Sequence, residues 1–448
     1  MSYWQSPFHK KLFVLAVPMI LSNITVPLLG LVDTAVIGHL PHAYLLGGSA
    51  VGAMIISLVT WLCGFLRMTT TGLAAQALGQ KDHHKSVLVL LRGLLVAFFV
   101  AALMLLSQSI YIDTALNLAG GSSQVTFYAR QYAEIRVWGY PASLANIVMI
   151  GWLLGNHQTK AVMWMLIVTN LINIVLDVLF VMGFAWQIAG IAYATVIAEY
   201  SGFLLGVWLI IRSINSSVGE VVFSGKHMFD ALFERHAILH YFKLNRDILI
   251  RTLCLQLCFV FMTFQGARLG DNVVAANAIL MNFLLFISFG LDGIANAAEI
   301  MVGKAKGQNS IKALKKITLV ALFWTTIFAL AYCVVFWLAG DYLVGLISTI
   351  PSVVNYANEH LFWLILLPIV ACWCYLFDGI YIGLTYAKTM RNSMVISTFC
   401  CFFPAWFLLQ HYDNNGLWAA FMLFMFSRGI GLGWHFYQHV WHKKLLAD

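Results

Sequence analysis

The amino-acid sequence predicts an all-α integral membrane protein with twelve transmembrane helices in two six-helix lobes, related by a pseudo-twofold axis along the membrane normal. Of its 448 residues, 61% are hydrophobic and only 10% are charged, so the chain is far more apolar than a soluble domain. Apolar stretches long enough to cross about 30 Å of hydrocarbon recur along the whole chain. The sequence also repeats itself internally, which indicates two halves of similar structure.

The first apolar stretch is interpreted as a retained helix rather than a signal peptide, because no small-residue cleavage site follows it. The twelve predicted spans lie at about 11–38, 45–72, 86–111, 126–154, 160–183, 188–211, 247–268, 274–302, 313–338, 354–384, 392–410 and 416–438. An even number of spans returns the chain to the side on which it began, so both termini are expected on one side of the membrane.

The distribution of basic residues indicates which side this is. With a cytoplasmic amino terminus, the lysines and arginines outside the spans fall on inner loops or at their edges, apart from Arg130 and Arg268. This positive-inside pattern predicts a multi-pass protein of the bacterial inner (plasma) membrane with both termini cytoplasmic. It also explains the formal charge of +8 without a nucleic-acid partner.

The eight cysteines all lie within predicted spans, where a thiol usually acts as a small apolar side chain. They lack histidines at metal-ligand spacing, so we expect neither a disulfide framework nor a metal site, and no cofactor. We further expect a monomer in contact with membrane lipids.

The internal repeat has one register over most of the chain. A single constant shift superposes ALGQK at 77–81 on AKGQN at 305–309, and the same shift superposes Gly151 on Gly379. This alignment is called the repeat register below. Six spans per half is an even number, so both halves enter the membrane from the same side, which requires an axis along the membrane normal. The sequence therefore predicts an N-terminal lobe at 1–211, a cytoplasmic linker at 212–246 and a C-terminal lobe at 247–448.

Two acidic residues inside the first half have no acidic counterpart in the second. The repeat register places Asp33 on Phe261 and Asp177 on Ala405, so neither acid is needed to build a six-helix half. Asp33 is about 9 Å below the outer end of the first span, and Asp177 is about 10 Å below the outer end of the fifth. Acids within a membrane are usually functional, and a shared low-dielectric cavity would let this pair take up and release protons.

Two neighbouring residues complete this candidate site. Asn173 precedes Asp177 by one helical turn, so its amide is within reach of either form of the carboxyl group. Pro18 removes a backbone hydrogen bond from the first span and predicts a hinge below Asp33. The structural alternatives are an Asp33 that reaches water near the interface, an Asn173 that only links two helices, and a Pro18 that only bends a helix for packing.

Glu199 in the sixth span and Asp378 in the tenth are second-tier candidates. Glu199 lies near the middle of the membrane, where a coupling role and a buried ion pair are equally compatible with the sequence. Asp378 is the best acid of the second half.

Three sequence stretches, VDTAVIGHL at 32–40, ALGQK with its repeat AKGQN, and FDGIYIGLTYAKTMRNSM at 377–394, resemble the multidrug and toxic compound extrusion (MATE) transporters, and among them the DinF-like branch. The resemblance implies a two-lobe exporter that alternates between inward-open and outward-open states. It implies export of bulky cationic or amphipathic drugs and toxic compounds, driven by inward movement of H⁺ or Na⁺.

The functional residues of that family fall on positions already selected. The family's acid of the first helix matches Asp33, its Asn-x-x-x-Asp pair matches Asn173 and Asp177, and its bending proline matches Pro18. Asp378 matches an acid that belongs to a second-half cation site in another branch. Because the seventh span has no intramembrane acid to complete that site, H⁺ coupling is favoured over Na⁺ coupling.

Two other functions were weighed. A flippase of lipid-linked precursors, from the same superfamily, should expose a more cationic cleft for its diphosphate than this chain offers. A membrane-embedded enzyme is disfavoured, because the sequence has no metal-binding histidine cluster and no nucleophile motif such as G-x-S-x-G.

Overall fold

A computed structural model of the protein describes residues 7–38, 43–217, 230–348 and 350–441, with the side chains of Val26, Leu28, Gly30, Leu31 and residues 33–38 excluded. Within these residues all regular secondary structure is helical. Ten helical segments in the described part of the chain are long and apolar enough to cross a membrane. The predicted class, an all-α membrane protein, is therefore confirmed, while the number of twelve spans stays a prediction.

The chain divides into two compact units. The first unit comprises Leu21–Tyr241, and the second unit combines Met1–Ile20 with Phe242–Asp448. The division falls shortly after Pro18 in the first helix. The grouping differs in two respects from the predicted lobes, because residues before Leu21 belong to the second unit and most of the predicted linker belongs to the first.

The helices of the first unit follow one another with short connections. They are α1 (Pro7–Gly38, from Leu21 onward), α2 (Ala43–Leu62), α3 (Phe65–Gln80), α4 (His83–Leu106), α5 (Gln108–Ala119), α6 (Ser123–Arg136), α7 (Tyr140–Gly155), α8 (Thr159–Val178) and α9 (Gln187–Ser217). A 3₁₀ turn at Val137–Gly139 joins α6 to α7, and a π-helical turn at Leu179–Gly183 extends α8. The pair α2 and α3 and the pair α6 and α7 each form one candidate membrane span, at Tyr44–Gln80 and Ser123–Gly155.

The second unit contains the remaining helices. They are α10 (Arg235–Leu269, from Phe242 onward), α11 (Asp271–Gly307), α12 (Ile311–Ile347), α13 (Pro351–Glu359), α14 (Leu361–Gly383), α15 (Ala387–Ile396), α16 (Phe403–Leu409) and α17 (Asp413–His435). A π-helical turn at Ser397–Phe402 joins α15 to α16, and a 3₁₀ turn at Gln410–Tyr412 precedes α17. A large apolar cluster that includes Trp418 and Phe421 forms the core of this unit.

The turns after ALGQK and AKGQN have the same backbone structure. Lys81 and Asn309 both follow their helices in the left-handed region, with φ of 59° and 51°. The next residues, Asp82 and Ser310, both cap the following helix by accepting a hydrogen bond from the backbone N–H one turn further on. The repeat register that aligns the sequences therefore also aligns these turns and caps.

Two glycines in the same register allow helices to approach closely. A Cβ atom on Gly151 of α7 would lie 2.7 Å from the backbone oxygen of Arg67 in α3. A Cβ atom on Gly379 of α14 would lie 2.5 Å from the backbone oxygen of Ala295 in α11. The repeat register also places Arg67 on Ala295, so the same helix contact occurs once in each unit.

We predict that Gly151→Ala and Gly379→Ala each destabilise the protein by about 1–3 kcal/mol, because the added methyl group must push two backbones apart. The thermal melting midpoint of the purified protein should fall in both variants. Gly345→Ala is the matched control, because a Cβ atom there meets nothing within 4 Å. Equal midpoints for all three variants would show that the close contacts contribute nothing to stability.

Candidate functional site

Asp177 lies at the centre of a buried hydrogen-bonded group between α8 and α9. Its side chain is fully buried, and that of Asn173, one turn earlier on α8, is 1% exposed. When the Asn173 amide is oriented to suit its neighbours, Nδ2 donates to Asp177 Oδ2 at 2.8 Å and Oδ1 accepts from the Thr195 hydroxyl at 3.0 Å and from the Thr195 N–H at 3.2 Å. Asn173 therefore connects the carboxyl group to α9.

The Thr195 hydroxyl has a second acceptor within reach. Its Oγ1 lies 2.9 Å from the backbone oxygen of Ile191, one turn earlier on α9. A hydroxyl group has one proton, so it donates to Asn173 or to Ile191, and its lone pairs accept in the second case. The opposite orientation of the Asn173 amide would point Nδ2 at the Thr195 N–H, which is itself a donor, so the surroundings favour the orientation with Oδ1 towards Thr195.

The local fold explains why these three residues meet. The π-helical turn follows Asp177 closely, and α9 begins at Gln187, so α8 and α9 form an antiparallel hairpin. Residues at similar distances from the connection lie at similar depth, which brings Asn173 opposite Thr195. The sequence predicted Asn173 and Asp177 as site residues but not Thr195. Counting residues outward from the connection between the two helices would have placed Thr195 opposite Asn173.

A second amide links α8 to α1. Asn170 Nδ2 donates to Thr25 Oγ1 at 2.8 Å, and Thr25 Oγ1 in turn donates to the backbone oxygen of Ser22 at 2.7 Å. Thr25 lies about 12 Å along α1 from Asp33. The helix that carries Asp33 is therefore bonded to the helix that carries Asp177.

The other two first-half candidates lie on α1. The backbone of Asp33 belongs to this helix, but its side chain is outside the described part of the structure. Pro18 is buried within the same helix. The proposed proximity of Asp33 to Asp177, and the hinge at Pro18, both stay predictions.

Glu199 forms a buried ion pair with Arg136. Arg136 Nη1 donates to Glu199 Oε2 at 2.8 Å and Nη2 donates to Oε1 at 3.0 Å, which is a bidentate arrangement. The side chain of Glu199 is 16% exposed and that of Arg136 is 10% exposed. Of the two alternatives for Glu199, the buried ion pair is the one that the geometry favours, and it joins α9 to α6 one turn from Thr195.

Asp378 is held by two arginines of the second unit. Its Oδ2 accepts hydrogen bonds from Arg251 of α10 and, at 2.6 Å, from Arg428 of α17. The sequence did not connect either arginine with Asp378, because they are 127 and 50 residues away along the chain. The carboxylate is therefore a member of an ion cluster.

An apolar cavity opens in the first unit along the connection between α8 and α9 and the first turns of α9. It has a volume of about 580 Å³ and is lined by Phe180, Trp186, Ala189, Tyr193 and Ile197. The Phe180 and Trp186 rings lie 4.9 Å apart, and the Trp186 and Tyr193 rings lie 6.1 Å apart. Its volume is in the range of sites for drug-sized ligands.

Comparison with known proteins identifies the family. The family model described as MatE matches residues 18–179 and again residues 248–407. The DNA damage-inducible protein F of Escherichia coli K12 is 44% identical over 425 residues, which cover 94% of this chain and 91% of that protein. A probable multidrug resistance protein of Bacillus subtilis 168, YoeA, is 23% identical over 100% of this chain and 96% of its own.

Solved structures agree on the fold. The crystal structure of a MATE protein in the bent conformation has a TM-score of 0.87 at 18% identity and covers 100% of this chain and 98% of its own. A MATE transporter of Vibrio cholerae has a TM-score of 0.85 at 20% identity, covering 98% and 99%. The protein is therefore a member of the MATE family, and so a transporter rather than an enzyme.

Proposed function

We propose that the protein is a secondary active multidrug efflux transporter, which exports cationic or amphipathic small molecules by H⁺-coupled antiport with alternating access. The observation that carries the proposal is the buried group of Asp177, Asn173 and Thr195, in which a fully buried acid accepts a hydrogen bond from a side chain that also bonds the neighbouring helix. Membership of a family of drug and toxic-compound exporters supports the export of such molecules.

The proton switch consists of an exchange of hydrogen bonds. With Asp177 ionised, Asn173 donates to the carboxylate through Nδ2 and accepts from Thr195 through Oδ1. With Asp177 protonated, the carboxyl O–H donates to Asn173 Oδ1 after the amide rotates, and Nδ2 then donates to Thr195 Oγ1. The Thr195 hydroxyl turns its proton to the Ile191 oxygen, so the side chains keep partners. The Thr195 N–H loses its acceptor on Asn173 and faces Nδ2, a cost that falls on the protonated state alone.

Asp33 and Pro18 convert this local change into movement. An ionised Asp33 requires water or a cation beside it, which keeps the first-half cavity open for a cationic drug. Protonation removes that requirement, and α1 repacks by bending at Pro18, which shrinks the cavity and releases the drug outward. The bond between Asn170 and Thr25 supports such a coupling of α1 to α8.

The architecture that we propose has twelve spans in two lobes. The continuous segment Ala387–Trp441 is 55 residues long, about 80 Å as a single helix, which is too long for one crossing. The turn at Gln410–Tyr412, followed by Asp413 with φ of 49°, divides it into two spans. Counting α1 as well gives twelve spans. The double family match supports two lobes, at 1–211 and 247–448, that are related by a pseudo-twofold axis. Residues 212–246 are the cytoplasmic linker between them.

The same proposal extends to location and partners. The positive-inside pattern supports an inner-membrane protein with both termini cytoplasmic. The cavity lined by Phe180, Trp186 and Tyr193 favours cationic amphipathic compounds, because ring faces attract cations. We propose that the transporter works as a monomer among membrane lipids.

A flippase is disfavoured, because Arg136, Arg251 and Arg428 already bind carboxylates and do not offer free charges to a diphosphate.

The decisive experiment separates the two candidate coupling ions. Purified protein in proteoliposomes should export a cationic dye when a pH gradient alone is imposed, and the rate should not change when a Na⁺ gradient replaces a matched K⁺ gradient. Protein-free liposomes measure the leak. Efflux that requires Na⁺ and ignores the pH gradient would refute H⁺ coupling.

A further inference from the structure

The second unit contains one carboxylate that is shared by two guanidinium groups. Asp378 of α14 accepts from Arg251 of α10 and from Arg428 of α17 through the same oxygen, Oδ2. The side chains of Asp378, Arg251 and Arg428 are 10%, 8% and 3% exposed. Three helices of the unit therefore meet at a buried carboxylate whose nearest positive charges are covalently attached to the chain.

The charges of this cluster sum to a positive value. Arg251 and Arg428 carry one positive charge each, and Asp378, which both contact, carries one negative charge. The three groups together therefore carry a single positive charge. An added monovalent cation would raise the positive charge of a buried site further, which is unfavourable without a further anion.

We propose that Arg251 and Arg428 take the place of a bound monovalent cation at Asp378, and that they determine the ion specificity of the transporter by excluding Na⁺ from the second unit. This inference rests on the proposed H⁺ antiport for its role in transport. The exclusion itself is a property of the cluster, and it can be measured without transport.

The chemistry of the guanidinium group supports this role. It stays charged at every pH that a cell experiences and donates in a fixed planar geometry, so its occupancy of Asp378 does not depend on the surroundings. Arg428 is further held by Met425, whose sulfur accepts from Nη1 at 3.3 Å, and by the Phe424 ring at 5.2 Å. A free Na⁺ would have to displace a donor that cannot diffuse away.

The internal repeat shows that the cluster is particular to the second half. The repeat register places Arg251 and Asp378 on Asn23 and Ile150, and the small slip that aligns Gly416 with Gly190 places Arg428 on Gly202, so none of the three counterparts is charged. The first half carries Asp33 and Asp177 instead, on positions that are Phe261 and Ala405 in the second. One half thus has acids without these arginines, and the other has an acid that is already neutralised.

Removal of both arginines should create a cation site. In the double variant Arg251→Gln with Arg428→Gln, Asp378 keeps its charge without either guanidinium group, so it should bind about one Na⁺ per chain. We expect the melting midpoint of the purified full-length variant to rise saturably with NaCl at pH 8, compared with choline chloride at equal ionic strength. The parental protein should show equal midpoints in both salts, and ²²Na⁺ should be retained only by the variant.

Two matched variants test the charge argument. The single variant Arg251→Gln leaves Asp378 paired with Arg428, and the triple variant Arg251→Gln, Arg428→Gln and Asp378→Asn removes the negative charge, so neither should respond to Na⁺. Saturable Na⁺ binding by the parental protein would overturn the proposal, as would a folded double variant that ignores Na⁺. Arg251→Ser with Arg428→Gln carries the same expectation and decides the matter if the first double variant does not fold. These measurements need no transport, so they can be interpreted even if the proteoliposome experiment shows no H⁺-driven efflux.

Discussion

Replacing Asp177 by asparagine should abolish efflux driven by a pH gradient while the protein still folds and inserts into the membrane. An amide has nearly the size of a carboxyl group but cannot release a proton, so it holds Asn173 and Thr195 in one pattern of hydrogen bonds. Without a group that binds and releases this proton, the pH gradient cannot drive export. Dye efflux from proteoliposomes should therefore fall at least about tenfold, towards the leak of protein-free liposomes.

Asp113→Asn is the matched control for this experiment. Asp113 is an acid of the same unit, but its side chain is 48% exposed and pairs with Arg130 at 2.6 Å on the protein surface. Surface ion pairs contribute little, so this variant should export dye at the parental rate. An Asp177→Asn protein that retains the parental rate and pH dependence would show that the buried group is only structural.

Asp33→Asn should likewise abolish coupled efflux without loss of folded protein. The substitution imitates the protonated acid, so the first-half cavity should favour its contracted form and bind cationic dye at least about tenfold more weakly. Dye binding to the purified variant, measured by fluorescence, and efflux under a pH gradient should decline together.

The same variant also tests the alternative for Asp33. If the acid is only tolerated near the outer surface, Asp33→Asn should match the parental protein in dye affinity, efflux rate and pH dependence. A loss of efflux with unchanged dye affinity would restrict Asp33 to the proton step and remove it from drug binding.

Composition and periodicity predicted most of the fold. The membrane class and the repeat register follow from hydropathy and from short similar stretches, because both are local properties of the sequence. The depth argument for Asp177 and the spacing of Asn173 also depend only on helix geometry, and the hydrogen bond between these residues agrees with that spacing.

The partners on other helices could not be predicted in this way. Asp378 meets Arg251 and Arg428 only because α10, α14 and α17 pack around one point, and hydropathy does not specify which faces meet. The same holds for Glu199 with Arg136. For each of these acids, the sequence indicated that a partner was needed, since buried charges are usually paired, but it did not indicate which one.

The paired glycine contacts have a consequence for how this gene has diverged since its two halves arose. Gly151 and Gly379 meet the same steric limit, so selection should act equally on both copies. The acidic positions are under no such common limit, because Asp33 and Asp177 are matched by Phe261 and Ala405. When the effects of all single substitutions are compared between positions that the repeat register pairs, the two halves should therefore agree at the helix contacts and differ at the acidic positions.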